Sequence, residues 1–183
     1  MQRLLLPAFL VISSVYLGLP ARGNAQDADF YFNRGVAWND KGEYDKAMAD
    51  YNQAIRLNPN DARGYYNRGN IWGHNKQYDK AIADFDQAIR LNPNYTDAYD
   101  HRGVCWRSKG QYDEAIADFD QAIHLNPNYA PLYLNRGNAW KAKGDGDKAE
   151  ADYFKAFWLQ KKKRQFPQNL FCIPMMNLVG WYF

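Results

Sequence analysis

The sequence has few of the side chains on which enzymes rely. Beyond Ala25 it contains one serine, Ser108, and one threonine, Thr96, and neither lies in a Gly-x-Ser-x-Gly pattern. Hydrolysis by an activated serine or threonine therefore has almost no candidate. The histidines, His74, His101 and His124, lack the spacing of three or four positions with which one helix face holds a metal ion. We expect no catalysis, no cofactor and no bound metal.

No single sign of charge dominates the chain. The net charge is +3, but residues 26–160 hold all 20 acidic residues and 17 of the 23 basic ones, which leaves that part at −3. The positive excess comes from Arg3 and Arg22 and from the run Lys161–Arg164. A nucleic-acid-binding protein is expected to carry a basic stripe across its folded part. We therefore expect no nucleic-acid partner.

The segment 1–25 has the features of a secretory signal. Arg3 precedes an apolar stretch from Leu4 to Leu19, and Gly23 and Ala25 are small residues just before a cut ahead of Gln26. The stretch is shorter than the roughly 20 apolar residues of a membrane span, and it contains a proline. We therefore favour cleavage over an uncleaved membrane anchor. The sequence predicts an exported protein, periplasmic or secreted, with no stable membrane span after cleavage.

The rest of the chain is a repeat with a fixed period. The segment IADFDQAI occurs at Ile82–Ile89 and again at Ile116–Ile123. The same register gives four copies, at 28–61, 62–95, 96–129 and 130–163. Three of its fixed columns hold Gly35, Gly69, Gly103 and Gly137; Trp38, Trp72, Trp106 and Trp140; and Tyr51, Phe85, Phe119 and Tyr153. Agreement of this kind is the signature of a stacked-repeat protein.

Within each copy the apolar spacing is helical. In the third copy Tyr99, Gly103 and Trp106 recur at intervals of four and three, and a second such series follows a break at Gly110. Each copy is therefore predicted to be two antiparallel helices, which small residues allow to approach to about 8–10 Å. Because one hairpin cannot bury its apolar face alone, we expect the copies to stack.

These columns resemble the tetratricopeptide repeat (TPR), whose period is about 34 residues. The resemblance extends from position 28 to about position 160, and it implies an all-α, right-handed helical solenoid of four antiparallel hairpins over residues 26–160. Three positions depart from the pattern: Lys76 replaces the turn glycine in the second copy, Gly146 replaces a tyrosine, and Lys161 replaces the closing proline. The fourth copy departs most, as expected of a terminal repeat.

Two charged columns are less usual for this family. An arginine precedes each column glycine and an aspartate follows sixteen positions later, which gives the pairs Arg34 and Asp50, Arg68 and Asp84, Arg102 and Asp118, and Arg136 and Asp152. We predict that each arginine reaches its aspartate across the hairpin. Such structural ion pairs would contribute about 1 kcal/mol or less each if exposed. The alternative is solvated charges with no fixed partner.

The sequence has only two cysteines, and their settings differ. Cys105 falls in a column otherwise filled by Ala37, Ile71 and Ala139, which is typical of a buried position. Exported proteins can form disulfides. We nevertheless favour a buried small side chain at position 105 over a pair with Cys172.

The resemblance to TPR proteins also implies that the first helices line a concave groove in which a partner binds. Helical spacing places these residues on that surface: Phe32, Asn33, Val36, Tyr66, Asn67, Asn70, His101, Val104, Asn135 and Asn138. Amides can bond the backbone of an extended peptide, while Phe32 and Tyr66 can hold an apolar side chain. The alternative is an ordinary solvated face. The cations with which some TPR modules clamp a chaperone's C-terminal carboxylate do not occupy the corresponding positions.

After Leu159 the composition changes. The basic run is followed by an apolar-rich segment that is broken by Pro167 and Pro174. This tail, residues 161–183, either folds back over the fourth copy, contacts a membrane surface, or has little order. We favour the first alternative. The tail is too short and too broken to span a bilayer.

The function that these features indicate is a non-catalytic scaffold that binds another protein or an extended peptide in a cell-envelope assembly. Two alternatives stay open. One is a self-associating structural protein in which the poorly capped fourth copy stacks on another chain. The other is an accessory subunit of an envelope enzyme whose catalytic part is a separate polypeptide.

Overall fold

The described part of the protein is an array of four helical hairpins. A computed structural model describes residues 25–165, which form eight α-helices. The helices are α1 (Ala25–Asp40), α2 (Tyr44–Leu57), α3 (Ala62–His74), α4 (Tyr78–Leu91), α5 (Thr96–Ser108), α6 (Tyr112–Leu125), α7 (Ala130–Lys143) and α8 (Gly146–Gln165). Each hairpin packs its two helices together and contacts the next hairpin. The predicted all-α, right-handed TPR solenoid is confirmed.

Two predicted segments fall wholly or mostly outside the described residues. Of the predicted signal, residues 1–25, the structure describes only the backbone of Ala25, and it describes nothing beyond Gln165. Cys172 lies outside it as well. None of the helices that the structure describes is long and apolar enough to cross a membrane.

The close approach of the two helices in each hairpin depends on the glycine column. A Cβ atom at Gly69 would lie 2.8 Å from Cε1 of Phe85, and one at Gly103 would lie 2.8 Å from Cε1 of Phe119. Carbon atoms do not approach so closely without displacement. Glycine at these positions therefore lets the aromatic ring of the second helix lie directly against the backbone of the first.

Between hairpins the core consists of buried small and aromatic side chains. Cys105 of α5 packs with Ala81 and Phe85 of α4 and is 4% exposed. The prediction of a buried side chain at position 105 is confirmed, and burial raises the pKa of its thiol to about 11. A thiol with this pKa stays protonated and unreactive at neutral pH.

The fourth copy ends differently from the others. Helix α8 continues to Gln165, so the predicted start of the tail at Lys161 falls inside a helix. The physical reason is the missing proline. The earlier copies carry Pro59, Pro93 and Pro127 at this position, whereas Lys161 and the residues after it are good helix formers.

Candidate functional site

The first helices of the hairpins line one side of the array. Helix α3 contacts α5 and α5 contacts α7, whereas within residues 25–165 no comparable contact joins one second helix to another. Elements that lie closer together are on the inside of a curved array. We call the surface formed by α1, α3, α5 and α7 the inner face.

His101 is at the centre of the inner face and joins two hairpins. Its Nδ1 lies 2.5 Å from Oδ1 of Asn70, and its ring centroid is 5.4 Å from that of Tyr66. Burial lowers the pKa of His101, an effect that the nearby carboxylates of Asp100 and Asp97 partly offset. At neutral pH the ring is therefore an uncharged part of an aromatic surface.

Besides Asn70, three more of the predicted groove amides have partners within the chain. Asn135 Nδ2 donates to Oδ1 of Asp100 at 2.7 Å, and Asn67 Nδ2 donates to the backbone oxygen of Arg63 at 2.9 Å. Asn138 Oδ1 accepts from the hydroxyl of Tyr153, on the second helix of its own hairpin. Burial raises the pKa of Asp100, against the lowering effect of the bond from Asn135. These amides thus stabilise the array, while Asn33 is exposed.

The predicted apolar groove residues also take part in packing. Val36 and Phe32 pack against a buried cluster that contains Tyr51, and Val104 packs against one that contains Phe119. The guanidinium of Arg63 lies 4.6 Å from the ring centroid of Phe32 and covers it in part. These side chains are half-buried, so they contribute to the packing of the hairpins and only part of each is exposed on the inner face.

Two tyrosines that the sequence analysis missed complete an aromatic cluster. The ring of Tyr95 lies 4.7 Å from that of Tyr66. Burial raises the pKa of Tyr66, the bond to Asn70 lowers it, and Asp97, Asp100 and Tyr129 raise it further. Tyr129, which is 46% exposed, occupies the turn position of Tyr95 at the next junction between hairpins. We call the contacting rings of Tyr66, Tyr95 and His101, together with Tyr129 in the following turn, the tyrosine cluster.

A signal for these two tyrosines was present in the repeat. They occupy one column, in the turn two positions after the closing proline, where the first junction has Asp61. Spacing along the helices could not find them because they lie in the turns between hairpins.

The arginine and aspartate columns form bidentate ion pairs. In each of the four hairpins arginine Nε and Nη2 lie 2.6–2.8 Å from the two oxygens of the aspartate sixteen positions later. The four aspartates are buried, with exposures of 5–6%. In the case of Asp118, burial raises the carboxyl pKa more than the bond from Arg102 lowers it.

Each arginine after the first also bonds to the preceding hairpin, which the sequence analysis did not foresee. Nη1 of Arg68 donates to Asn52, Nη1 of Arg102 to Asp86, and Nη1 of Arg136 to Asp120, at 2.5–2.6 Å. One guanidinium therefore ties three helices together. The pairs are a structural ladder along the array.

Nothing in the geometry of residues 25–165 points to a metal centre, since no group of three His, Cys, Asp or Glu side chains there is placed to hold an ion.

Comparison with known proteins agrees with this architecture. The sequence profile described as TPR repeat matches residues 39–73 and 107–144, and the profile described as Tetratricopeptide repeat matches residues 62–95. Together these matches cover just over half of the chain. No curated protein sequence matches it.

Several solved structures share the fold. A crystal structure of MamA is 27% identical, covers 76% of this chain and 82% of its own, and superimposes with a TM-score of 0.73. A second MamA structure is also 27% identical, with 77% of each chain covered and a TM-score of 0.71. The structure of MamA from position 41 to the end, from Desulfovibrio magneticus RS-1, is 22% identical over 75% of this chain and 77% of that one, with a TM-score of 0.71.

Proteins built from this repeat are generally interaction scaffolds without catalytic activity. The helical hairpins, the profile matches and the structural neighbours all support the same assignment. The chain belongs to the tetratricopeptide repeat family and is a protein-interaction scaffold.

Proposed function

We propose that the protein binds another protein or an extended peptide on its inner face, at the tyrosine cluster, without catalysing a reaction. The observation that carries the proposal is the contact of the Tyr66, Tyr95 and His101 rings, next to a turn that presents the exposed Tyr129. Tyrosine offers a large contact area at low entropic cost, which makes it a frequent anchor of binding surfaces.

The surroundings of the cluster favour a particular partner chemistry. Asp97 is exposed beside the rings, and Asp100 lies between Asp97 and His101 on the same helix. Carboxylates next to aromatic rings suit a partner segment that presents an apolar side chain together with a lysine or arginine. Most of the side-chain amides of the inner face are engaged within the chain. Contacts from aromatic rings and carboxylates, rather than hydrogen bonds from amides to the peptide backbone, would therefore hold the peptide.

The test is a pair of matched double variants. Peptides are selected from a random library on the wild-type protein, and their dissociation constants are measured by fluorescence anisotropy. Tyr129→Ala with Asp97→Asn should weaken binding at least about tenfold, or roughly 1.4 kcal/mol. Both residues are exposed, so the fold should persist. The control, Phe30→Ala with Asp45→Asn, makes the same kinds of change in the first hairpin, away from the tyrosine cluster, and should leave affinity within twofold. Equal affinities of the two variants would contradict the proposal.

We place this activity in the cell envelope. The support is the sequence of segment 1–25, with Arg3, the apolar stretch and the small residues before Gln26. The intact mass of the protein purified from its own cells tests the location. A chain that begins at Gln26 is expected, and an uncut chain in the cytosol would contradict it.

A further inference from the structure

Helix α8 carries an aromatic surface on its outer side. Phe154, Phe157 and Trp158 are 64%, 58% and 47% exposed. The rings of Phe154 and Phe157 lie 6.0 and 6.4 Å from that of Trp158, so the three side chains form one contiguous patch. We call it the aromatic face of α8. A contiguous exposed patch of this kind marks a surface that something covers.

Comparison of the four copies shows that this face is not inherited from the repeat. The column of Phe157 holds isoleucine in the other copies, and Ile55 contacts Gly64 of the next hairpin. The columns of Phe154 and Trp158 are polar in those copies: they hold Asn52, Asp86 and Asp120, and Arg56, Arg90 and His124. One more stacked hairpin would need an aliphatic residue in the first column and polar residues in the others. The aromatic face therefore suits a different, broader and apolar cover.

A second copy of the chain stacked in the register of the array does not fit this face. The residue that would oppose Phe157 is Phe30, which occupies the column of Gly64, Ala98 and Leu132. Two phenylalanines would then meet where the first internal junction packs Ile55 against Gly64. Even the third junction, where Leu132 occupies this column opposite Ile123, has two smaller side chains there. Two phenylalanine rings would overfill the interface and force the helices apart.

We propose that residues 166–183 of the same chain cover the aromatic face of α8. Twelve of these eighteen residues are apolar and none is charged. Pro167 cannot continue an α-helix, so the chain can turn back directly after α8. Phe157 lies eight positions before the end of α8, about 12 Å along its axis. Seven extended residues span about 23 Å, so the tail reaches the whole face.

The covering segment has a high local concentration because it is joined to the surface that it covers. A linked segment competes against a free partner at an effective concentration in the millimolar range. The tail thus closes the fourth copy without a fifth hairpin. This inference does not depend on the inner face, and the experiment that tests it does not involve a bound peptide.

The experiment uses the native Cys172 of the full-length chain as a reporter. Cys105 is buried and does not compete for disulfide formation. One variant carries Lys161→Cys, on the aromatic side of α8, and the matched control carries Gln160→Cys, at the adjacent position and also exposed. The equilibrium constant for the intramolecular disulfide with Cys172 is measured in a glutathione buffer. We expect a value at least about ten times larger for Lys161→Cys, because position 161 lies over Trp158, whereas position 160 is turned about 100° around the helix and the loops to Cys172 have nearly the same length.

A second background shows whether the aromatic side chains cause the preference. Phe154→Asp, Phe157→Ile and Trp158→Arg together restore the residue types that the second copy carries at Asp86, Ile89 and Arg90, so this variant should fold. In this background the equilibrium constant for Lys161→Cys should exceed that for Gln160→Cys by less than about twofold. Equal constants in the native background would overturn the proposal. Disulfides that join two chains would also overturn it, since they indicate that a second copy covers the face. Equal constants for the two variants once phosphatidylglycerol vesicles bind the chain would overturn it too, since they indicate that a lipid surface covers the face.

Discussion

At the scale of single residues, Lys76 has a backbone conformation that lysine rarely adopts. Its φ is 57°, whereas the other copies have Gly42, Gly110 and Gly144 at this turn, with φ of 75°, 78° and 98°. The left-handed region costs an L-residue about 1 kcal/mol because its Cβ crowds the carbonyl oxygen. The packing of the second hairpin therefore offsets the cost of this local strain.

Replacing this lysine should stabilise the protein. Lys76→Gly is expected to raise the free energy of unfolding by about 0.5–1 kcal/mol, since the relief of strain outweighs the added freedom of the unfolded chain. Urea denaturation measures the change. The reciprocal variant, Gly110→Lys, should lower stability by a similar amount, because no atom lies within 4 Å of a Cβ there and only the backbone conformation matters. A loss of stability in Lys76→Gly would show that the lysine side chain has a compensating role.

At the scale of the helices, two glycines of α3 distinguish the effect of steric crowding from the effect of helix propensity. A Cβ at Gly69 would collide with Phe85, whereas one at Gly73 would lie 3.7 Å from Sγ of Cys105, an ordinary contact. Both residues are within the same helix. The glycine column is thus required by the approach of the second helix, while Gly73 is not required by any contact.

The two alanine variants should therefore differ in sign. Gly69→Ala is expected to lower the free energy of unfolding by about 1–3 kcal/mol through overpacking. Gly73→Ala should leave it unchanged or raise it by up to about 1 kcal/mol, because alanine is the better helix former. Thermal and urea unfolding of the pair measure the difference. If both variants lost the same stability, helix propensity or local strain would explain the column better than the approach of Phe85.

The helices illustrate which features the sequence alone could predict. Periodicity found the hairpins and their turns because one residue pattern recurs four times. It did not find the end of α8, because the residue that stops the other second helices is replaced by Lys161. Once the proline is absent, helix length is set by propensity and packing, which a column comparison does not measure.

At the scale of the whole molecule, the structural ladder of arginines joins neighbouring hairpins as well as the two helices of each hairpin. Arg102 bonds to Asp118 in its own hairpin and to Asp86 in the preceding one, and its side chain is 20% exposed. Arg34 has no hairpin before it among the described residues. Its side chain is 45% exposed, and within residues 25–165 its one ion-pair partner is Asp50.

This difference should appear in double-mutant cycles. Arg102→Met is expected to cost about 2–3 kcal/mol because it leaves the buried Asp118 carboxylate without its cation. Combined with Asp118→Asn, it should cost clearly less than the sum of the two single changes. The cycle of Arg34→Met and Asp50→Asn should show a smaller coupling free energy, near the range of exposed pairs, since water screens Arg34. Additive losses in the Arg102 cycle would mean that the pair is not a coupled unit.

The inner face shows why a binding surface is harder to predict than a fold. Helical spacing correctly assigned Tyr66, Asn70 and His101 to the first helices, but it could not tell which amides would be used within the chain. The acceptor of Asn135 is Asp100 of the preceding hairpin, so this bond depends on how the two hairpins are rotated, whereas Asn67 bonds to Arg63 within its own helix. Tyr95 and Tyr129 lie in turns, where helical periodicity carries no information.

The junction between the first and second hairpins differs from the other two in a way that bears on how the array opens. There Arg68 donates to the neutral amide of Asn52, whereas Arg102 and Arg136 donate to carboxylates. All three donors are charged guanidinium groups, but only the two carboxylates add the attraction of an opposite charge on the acceptor. In a stack held by nearest-neighbour terms, the interface with the weakest term separates first. Among the described residues, one ion pair, Arg63 with Asp29, crosses the first junction, whereas two cross each of the others. We therefore expect the first hairpin to detach more easily than the rest, which opens that end of the inner face at the lowest free-energy cost.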